Sequence, residues 1–102
     1  MLKLLLTQAR DLIADPAPWT QHTFARRAPG GEPCTAEEGT CWCARGAVRK
    51  VAGVHHERQL VDILSKAANR LALGNGIVDV NDISGHDAVI RVFDYAIANV
   101  QE

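Results

Sequence analysis

The chain has 102 residues, of which 47% are hydrophobic and 23% are charged, and its formal net charge at pH 7 is −1. This length suffices for one hydrophobic core, so we expect a single domain over residues 1–102. The near-neutral charge argues against a nucleic-acid partner and against binding to an anionic membrane surface.

The first residues and the cysteines favour a cytoplasmic protein. The apolar start of the chain is interrupted from Gln8 onward, too early for a signal peptide, and no stretch approaches the roughly 20 apolar residues of a membrane span. Three cysteines, an odd number without a secretion signal, argue against a disulfide framework. We expect Cys34, Cys41 and Cys43 to be ordinary, mostly buried thiols, with no metal and no cofactor.

The first predicted element is an amphipathic helix that ends at Asp15, because the residue before a proline disfavours helical geometry. Its apolar residues recur at intervals of three and four, which places them on one face. Pro16 and Pro18 then hold an extended turn, and we expect Trp19 to cover the end of the core. The apolar face contains Leu2, Leu5, Leu6, Ala9, Leu12 and Ile13.

The segment after Trp19 predicts loops. Arg26 and Arg27 open a stretch rich in glycine and proline that ends at Pro33. Two arginines beside such a loop could bind phosphate or simply be solvated. Thr35 and Glu38 have the spacing of a capping box, in which each side chain bonds to the backbone of the other residue.

The segment Cys41–Gly53 predicts a helix, with Gly53 placed to end it. A helix advances 100° per residue, so Trp42 and Gly46 are neighbours on its surface. Glycine inside a helix costs about 1 kcal/mol relative to alanine, which indicates that another segment approaches the backbone there. The side opposite the apolar arc carries Trp42, Arg45, Gly46, Arg49 and Lys50.

Two interpretations of the Trp42 side remain open. In the first, another segment of the chain covers the indole, and Arg45 or Arg49 stacks on it. In the second, Trp42, Arg45 and Arg49 stay accessible and bind a planar or anionic partner.

Two further helices are predicted in the second half of the chain. The first follows the cluster His55–Glu57, carries apolar residues from Leu60 to Leu71 on one face and ends at the glycines around Asn75. The second begins after Ser84, which has the spacing of another capping box with Asp87, and runs nearly to the end of the chain.

Between these helices, the short segment from Ile77 to Gly85 predicts a connection. We expect Ile77, Val80 and Ile83 to press against the helices. Asn81 and Asp82 either brace the last helix through backbone hydrogen bonds or line a site.

Taken together, these patterns predict an all-α fold, a compact bundle of about four amphipathic helices with irregular loops rich in proline and glycine. Leu4 lies off the main apolar stripe of the first helix. Such an extra apolar position leaves a homo-oligomer open.

Three short motifs follow one another along the chain: Asp15–Trp19 (Asp-Pro-Ala-Pro-Trp), Trp42–Ala47 (Trp-Cys-Ala-Arg-Gly-Ala) and Asn81-Asp82. In these motifs and their order, the chain resembles a family of small uncharacterised proteins from bacterial and phage genomes. Where the family often has an aromatic residue before the Asn-Asp pair, this chain has Val80. The resemblance implies a bacterial or phage cytosolic setting and carries no activity.

The sequence leaves three classes of function. The first is a non-catalytic protein that binds a partner protein and, if phage-encoded, modulates a host system. The second is a binder of a small anionic ligand, such as a nucleotide, which would use Trp42 for stacking and arginines for phosphate. The candidate binding residues for these two classes are Trp42, Arg45, Arg49, Arg26, Arg27, Asn81 and Asp82.

The third class is an enzyme, and it is the least favoured because no nucleophile motif, carboxylate pair or cofactor loop is present. Its candidates are Cys41 or Cys43 with His55 or His56, together with Asp82. Nucleophilic catalysis requires that the thiol and a base lie within hydrogen-bond reach, which no spacing in the sequence establishes.

Overall fold

The structure, a computed structural model, describes every residue from Met1 to Glu102. It is mostly helical, but a three-stranded antiparallel sheet between the first and second helices means that the fold is not purely all-α as predicted. The helices are α1 (Leu2–Leu12), α2 (Ala44–Ala52), α3 (Val54–Arg70), α4 (Ile77–Asp79, continued by a π-helical turn over Val80–Ser84) and α5 (His86–Asn99). The strands are β1 (Ala25–Arg26), β2 (Pro33–Cys34) and β3 (Cys41–Trp42).

Helix α1 forms as its apolar stripe predicts and ends before Asp15. Leu6, Ala9 and Ile13 are fully buried, and α1 packs against α2 and α5. Trp19 follows the proline turn and packs against the core, with its ring edge-on to that of His86 at 5.3 Å. The indole therefore covers the end of the core, as predicted.

The sheet explains why α2 is shorter than the helix predicted over Cys41–Gly53. Strand β1 lies in the middle, with Ala25 opposite Cys34 on one side and opposite Trp42 on the other. Because Cys41 and Trp42 pair with β1, helix α2 begins only at Ala44. Strands of two residues have no detectable alternation of apolar and polar residues, so the sequence pattern could not reveal them.

A close approach to the backbone of α2 occurs at Gly46, as its position predicts. A β-carbon at Gly46 would overlap the backbone carbonyl group of Phe24. Helix α2 ends before Gly53, which has φ +76° and immediately precedes α3. A left-handed φ is readily adopted only by glycine, so the change of direction between the two helices depends on this residue.

Helices α3 and α5 bury the apolar faces predicted for them, but α5 begins differently. The hydroxyl of Ser84 donates to the carbonyl of Leu73 at 3.1 Å, and α5 has no side-chain cap. The capping box predicted for Ser84 and Asp87 is therefore wrong. The Thr35–Glu38 pair forms only one of the two bonds of a capping box. The Glu38 amide donates to the Thr35 hydroxyl at 3.2 Å, but the Glu38 carboxylate accepts from that hydroxyl at 3.1 Å and not from the Thr35 backbone, and the segment is a turn.

The π-helical turn corrects the prediction for Ile83. Ile77 and Val80 are fully buried as expected, whereas Ile83 is 81% exposed. The Gly85 amide donates to the Val80 carbonyl at 3.2 Å, a bond between residues five apart that widens the turn. The widened turn departs from the 3.6-residue period, so Ile83 does not continue the buried face of Ile77 and Val80. No helix has the length and apolar character required to cross a bilayer.

Candidate functional site

The side-chain amide of Asn81 is the centre of a buried hydrogen-bond network, and only 1% of this residue is exposed. Its oxygen accepts from the indole nitrogen of Trp19 at 2.8 Å and from the backbone nitrogen of Ala44, the first residue of α2, at 2.9 Å. Its nitrogen donates to the carbonyl of Thr20 at 3.0 Å and to the carboxylate of Asp82 at 3.0 Å. The amide thus uses both donors and both acceptor positions.

Asp82 extends the network to a residue with a strained backbone. Its carboxylate accepts from the backbone nitrogen of His22 at 2.9 Å, and its other oxygen lies 3.7 Å from the Nδ1 atom of the same histidine. His22 has φ +70°, and Ala72 is the other residue besides glycines with positive φ. Strain of this kind costs about 1–3 kcal/mol and persists where surrounding contacts impose it. Gln21 adds such contacts, since its amide nitrogen donates to the carbonyls of Asn81 at 3.1 Å and Asp82 at 3.3 Å.

Asn81 and Asp82 do not brace the last helix, which was one of the two roles that the sequence left open. Asn81 instead accepts from the first backbone nitrogen of α2. Both residues line a pocket of about 240 Å³. The residues that line it are His22, Thr23, Phe24, Cys43, Arg45, Val78, Asn81 and Asp82.

Two apolar side chains of the α4 segment are exposed, one in the lining of this pocket and one next to it in sequence. Val78, which lines it, is 43% exposed, and Ile83, directly after Asp82, is 81% exposed. We call the surface formed by His22, Phe24, Val78, Asp82 and Ile83 the turn face.

A second cluster shares Arg45 with the pocket. The carboxylate of Glu57 is buried and accepts from the Nε atoms of Arg45 at 2.5 Å and Arg49 at 2.6 Å. The guanidinium groups of both arginines also lie over the ring of Phe24, at 5.1 and 4.8 Å from its centroid. Glu57 lies in the first turn of α3, where the helix dipole favours a negative charge.

These contacts set the ionisation of Glu57. Burial raises the pKa of this carboxyl, but the hydrogen bonds and charges of Arg45 and Arg49 together outweigh burial, and its pKa lies below the usual value. Glu57 is therefore ionised at neutral pH, and one carboxylate is shared by two cations.

The structure decides between the two interpretations of Trp42. The residue is only 8% exposed, and its indole nitrogen donates to the carbonyl of Ala36 at 2.8 Å. The prediction that Trp42 is accessible to a partner or a stacked base is therefore wrong, because residue 42 belongs to β3 and not to a helix. Arg45 and Arg49 stack on Phe24 instead of the indole.

Arg26 and Arg27 do not line the pocket. Arg26 is used internally, since its guanidinium group donates to the hydroxyl of Thr20 at 2.8 Å and to the carbonyls of Gly31 at 2.9 Å and Gln21 at 3.2 Å. This side chain holds the β1–β2 loop and is not available to a ligand. Arg27 is exposed and lies 3.5 Å from the carboxylate of Glu38.

The thiols do not form the catalytic arrangement considered above. Cys43 lines the pocket, but its sulfur accepts from the amide of Gly46 at 3.2 Å. Burial raises the pKa of this thiol more than the backbone amides of Gly46 and Arg45 lower it, so the reactive thiolate is disfavoured. His55 and His56 are exposed and do not line this pocket.

The other cysteines are also free thiols. The sulfur of Cys41 donates to the carbonyl of Ala17 at 3.8 Å, and Cys34 is partly buried. Across the structure, no three His, Cys, Asp or Glu side chains converge in the way a metal ion needs.

Three residues of these clusters were not identified as site residues from the sequence. His22 is a polar residue that the predicted bundle leaves unexplained, but no motif assigns it or Phe24 to a site. Only the close approach predicted at Gly46 signalled that some residue would occupy the position of Phe24. Glu57 was considered only with His55 and His56. Its position one helix after two arginines could have indicated an ion pair.

The fold and these clusters define a small, mostly helical protein with a π-helical turn fixed by a buried asparagine. The chain matches the family of unknown function DUF6197 over residues 2–99 and belongs to it. The comparisons with curated proteins and with solved structures gave no match.

Proposed function

We propose that the protein is a non-catalytic binding protein that holds a partner protein at the turn face. The observation that carries the proposal is the exposure of Val78, which lines the pocket, and of Ile83, which follows the lining residue Asp82, on a turn held by partly buried hydrogen bonds. A large apolar side chain that is 81% exposed loses the stabilisation that burial would provide. Binding of a partner would recover it.

The rigidity of the turn face supports this role. Asn81 and Asp82 connect the turn to the segment Thr20–His22 through hydrogen bonds of 3.3 Å or less. A surface that is already ordered loses less conformational entropy on association. Both a π-helical turn and a strained residue such as His22 occur preferentially at functional sites.

The composition of the turn face suits a protein partner better than a nucleotide. Val78, Ile83 and Phe24 supply apolar area, and Asp82 with the neighbouring Arg45 supplies charges of both signs at its edge. Protein interfaces combine an apolar centre with a polar rim in this way. The pocket volume of about 240 Å³ is below the roughly 300–1,000 Å³ of drug-sized ligand sites and would take one side chain of a partner.

The family resemblance described above supports a proposal for the setting of the partner. We place the protein in the cytoplasm of a bacterium. If the chain is phage-encoded, the partner would be a component of a host system whose activity the protein modulates.

The test is site-specific photo-crosslinking in the native host. A photoreactive residue at Ile83 should give a discrete adduct with one protein. The same residue at Leu4, which is 53% exposed on α1, should not give that adduct. The identified partner should bind the wild-type protein in purified form and lose at least tenfold in affinity with Ile83→Asp. The same adducts from both positions, or unchanged affinity of Ile83→Asp, would contradict the proposal.

A further inference from the structure

A second concave surface lies on the other side of Arg45. It is a cleft of about 530 Å³ between α2 and α3, separate from the pocket of the turn face except for this shared arginine. The residues that line it are Arg45, Arg49, Val54, Glu57, Arg58, Val61, Asp62 and Ser65.

The two arginines of α2 have a fixed orientation in this cleft. Each uses its Nε atom to bond to Glu57, and each lies over the ring of Phe24. Neither arginine donates a further side-chain hydrogen bond within the chain, so the terminal nitrogens of both guanidinium groups remain available. Glu57 thus orients two guanidinium groups without occupying their terminal donors.

The cleft also carries an excess of positive charge, which favours the binding of an anion. Arg58 is exposed and takes part in none of the ion pairs of the structure. Asp62 lies 3.6 Å from Lys66, which balances its charge. Three arginines and two carboxylates, those of Glu57 and Asp62, line the cleft, and Lys66 beside Asp62 raises the local excess to two positive charges.

A polar group of α3 adds to the donors. Ser65 lines the cleft, and its hydroxyl accepts from the backbone nitrogen of Ile77 at 3.1 Å. The hydroxyl hydrogen has no acceptor within the chain and can be donated to a ligand.

These features match a phosphoryl group. Guanidinium groups bind phosphate oxygens through two parallel N–H donors each, and several such donors can surround a tetrahedral dianion. A carboxylate ligand would compensate only one of the two charges. We infer that the cleft of Arg45, Arg49, Arg58 and Ser65 binds the phosphoryl group of a small phosphate monoester.

The test uses inorganic phosphate and AMP as probes, followed by NMR of the arginine side chains and backbone amides. We expect saturable shifts at Arg45, Arg49 and Arg58 that sodium chloride of equal ionic strength does not produce. Tighter binding of AMP than of inorganic phosphate would show that the rest of the ester also contacts the cleft, and equal binding would show that the phosphoryl group alone is recognised. Both results support the site.

Arg58→Gln tests the assignment without disturbing an internal contact. Loss of one charge-assisted contact should weaken phosphate binding about tenfold, which corresponds to one such hydrogen bond. The matched control is Arg91→Gln, because Arg91 is an exposed arginine of α5 that does not line the cleft. Equal effects of the two substitutions, or no saturable response of the wild-type protein, would overturn the inference.

Arg49→Lys adds a test of geometry. Lysine keeps the charge but lacks the planar pair of donors. We expect phosphate binding to fall about tenfold while the circular dichroism spectrum stays that of the wild-type protein. Unchanged binding in a folded Arg49→Lys protein would show that charge alone attracts the anion, and the proposed site would be wrong.

Discussion

The side-chain amide of Asn81 connects parts of the chain that are far apart in sequence. It bonds to Trp19 and Thr20 in the loop after α1 and to Ala44 at the start of α2. A helix leaves its first backbone N–H groups without intrahelical partners, and here one of them is satisfied by a side chain from α4. One residue thus fixes both the loop and the beginning of a helix.

Replacement of Asn81 by aspartate tests this role. The new carboxylate would place an oxygen against the carbonyl of Thr20 and the carboxylate of Asp82, where the amide donates. We expect a loss of about 3 kcal/mol in the free energy of unfolding, since a buried charge is left without a cation. Urea unfolding measures it, and Asn75→Asp, at an exposed residue whose side chain forms no hydrogen bond, is the control with an expected change within about 0.5 kcal/mol. Similar losses for both variants would contradict the role of Asn81.

Replacement of Gly46 by alanine tests the close approach of Phe24 to α2. The two physical effects of this substitution on stability have opposite signs, so the direction of the change shows which one is larger. Alanine normally stabilises a helix interior by about 1 kcal/mol relative to glycine. Here the added methyl group would overlap the Phe24 carbonyl, and overpacking costs about 1–3 kcal/mol. We expect Gly46→Ala to lower the thermal unfolding midpoint. A raised midpoint would show that the Phe24 segment moves away at little cost.

At the scale of elements, the α4 segment combines a buried and an exposed isoleucine. Ile77 is fully buried, whereas Ile83 is 81% exposed in the π-helical turn. We expect Ile77→Ala to cost about 2–5 kcal/mol through the cavity that it leaves. Ile83→Ala should change stability by no more than about 0.5 kcal/mol. Chemical denaturation of both variants checks this contrast, and a large loss for Ile83→Ala would show that the residue is buried in solution.

The long amphipathic helices are the part of the fold that sequence reasoning predicted well. Helices α1, α3 and α5 bury whole stripes of apolar residues, and such stripes are visible in a single sequence. The sheet and the π-helical turn were missed for a common reason. Each depends on contacts between distant residues, such as Ala25 with Trp42 or Asn81 with Thr20, and not on a local periodicity.

The candidate site was predicted only in part, for the same reason. Asn81, Asp82 and Arg45 do line one pocket, and Arg45 and Arg49 do lie side by side. Trp42 was assigned to a helix because its neighbours fit a helical pattern, and pairing with β1 buries it instead. His22 belongs to the site because its backbone amide bonds to Asp82 and its φ is positive. Neither property can be predicted from the residue type.

At the scale of the whole molecule, the ion pairs of Glu57 make stability depend on pH. Because the folded pKa of Glu57 is depressed, its contribution is present above the ordinary glutamate pKa of about 4.3 and is lost as pH falls through the lower folded value. At pH 7, Glu57→Gln should cost about 1.5–3 kcal/mol, the range for hydrogen bonds to a charged group. The difference from wild type should shrink toward zero in acid.

Thermal unfolding midpoints measured from pH 7 down to about pH 2 check this expectation. The control is Glu37→Gln, since Glu37 is exposed and its carboxylate forms no ion pair. Its effect should be small at every pH. A Glu57→Gln effect that stays constant down to the lowest pH would mean that the carboxylate charge is not what the arginines stabilise.

Both tryptophans of the chain lie outside the helices, and this gives the molecule two independent optical signals. Trp19 and Trp42 are neighbours in an isolated backbone pairing, so their emission reports the layer of loops and short strands and its contact with the core. Far-ultraviolet ellipticity reports mainly the helices. Because Asn81 connects that layer to α2, we expect the two signals to change at one temperature, as in a single cooperative transition. Earlier loss of the tryptophan signal would instead reveal that the loops detach from an intact helical body.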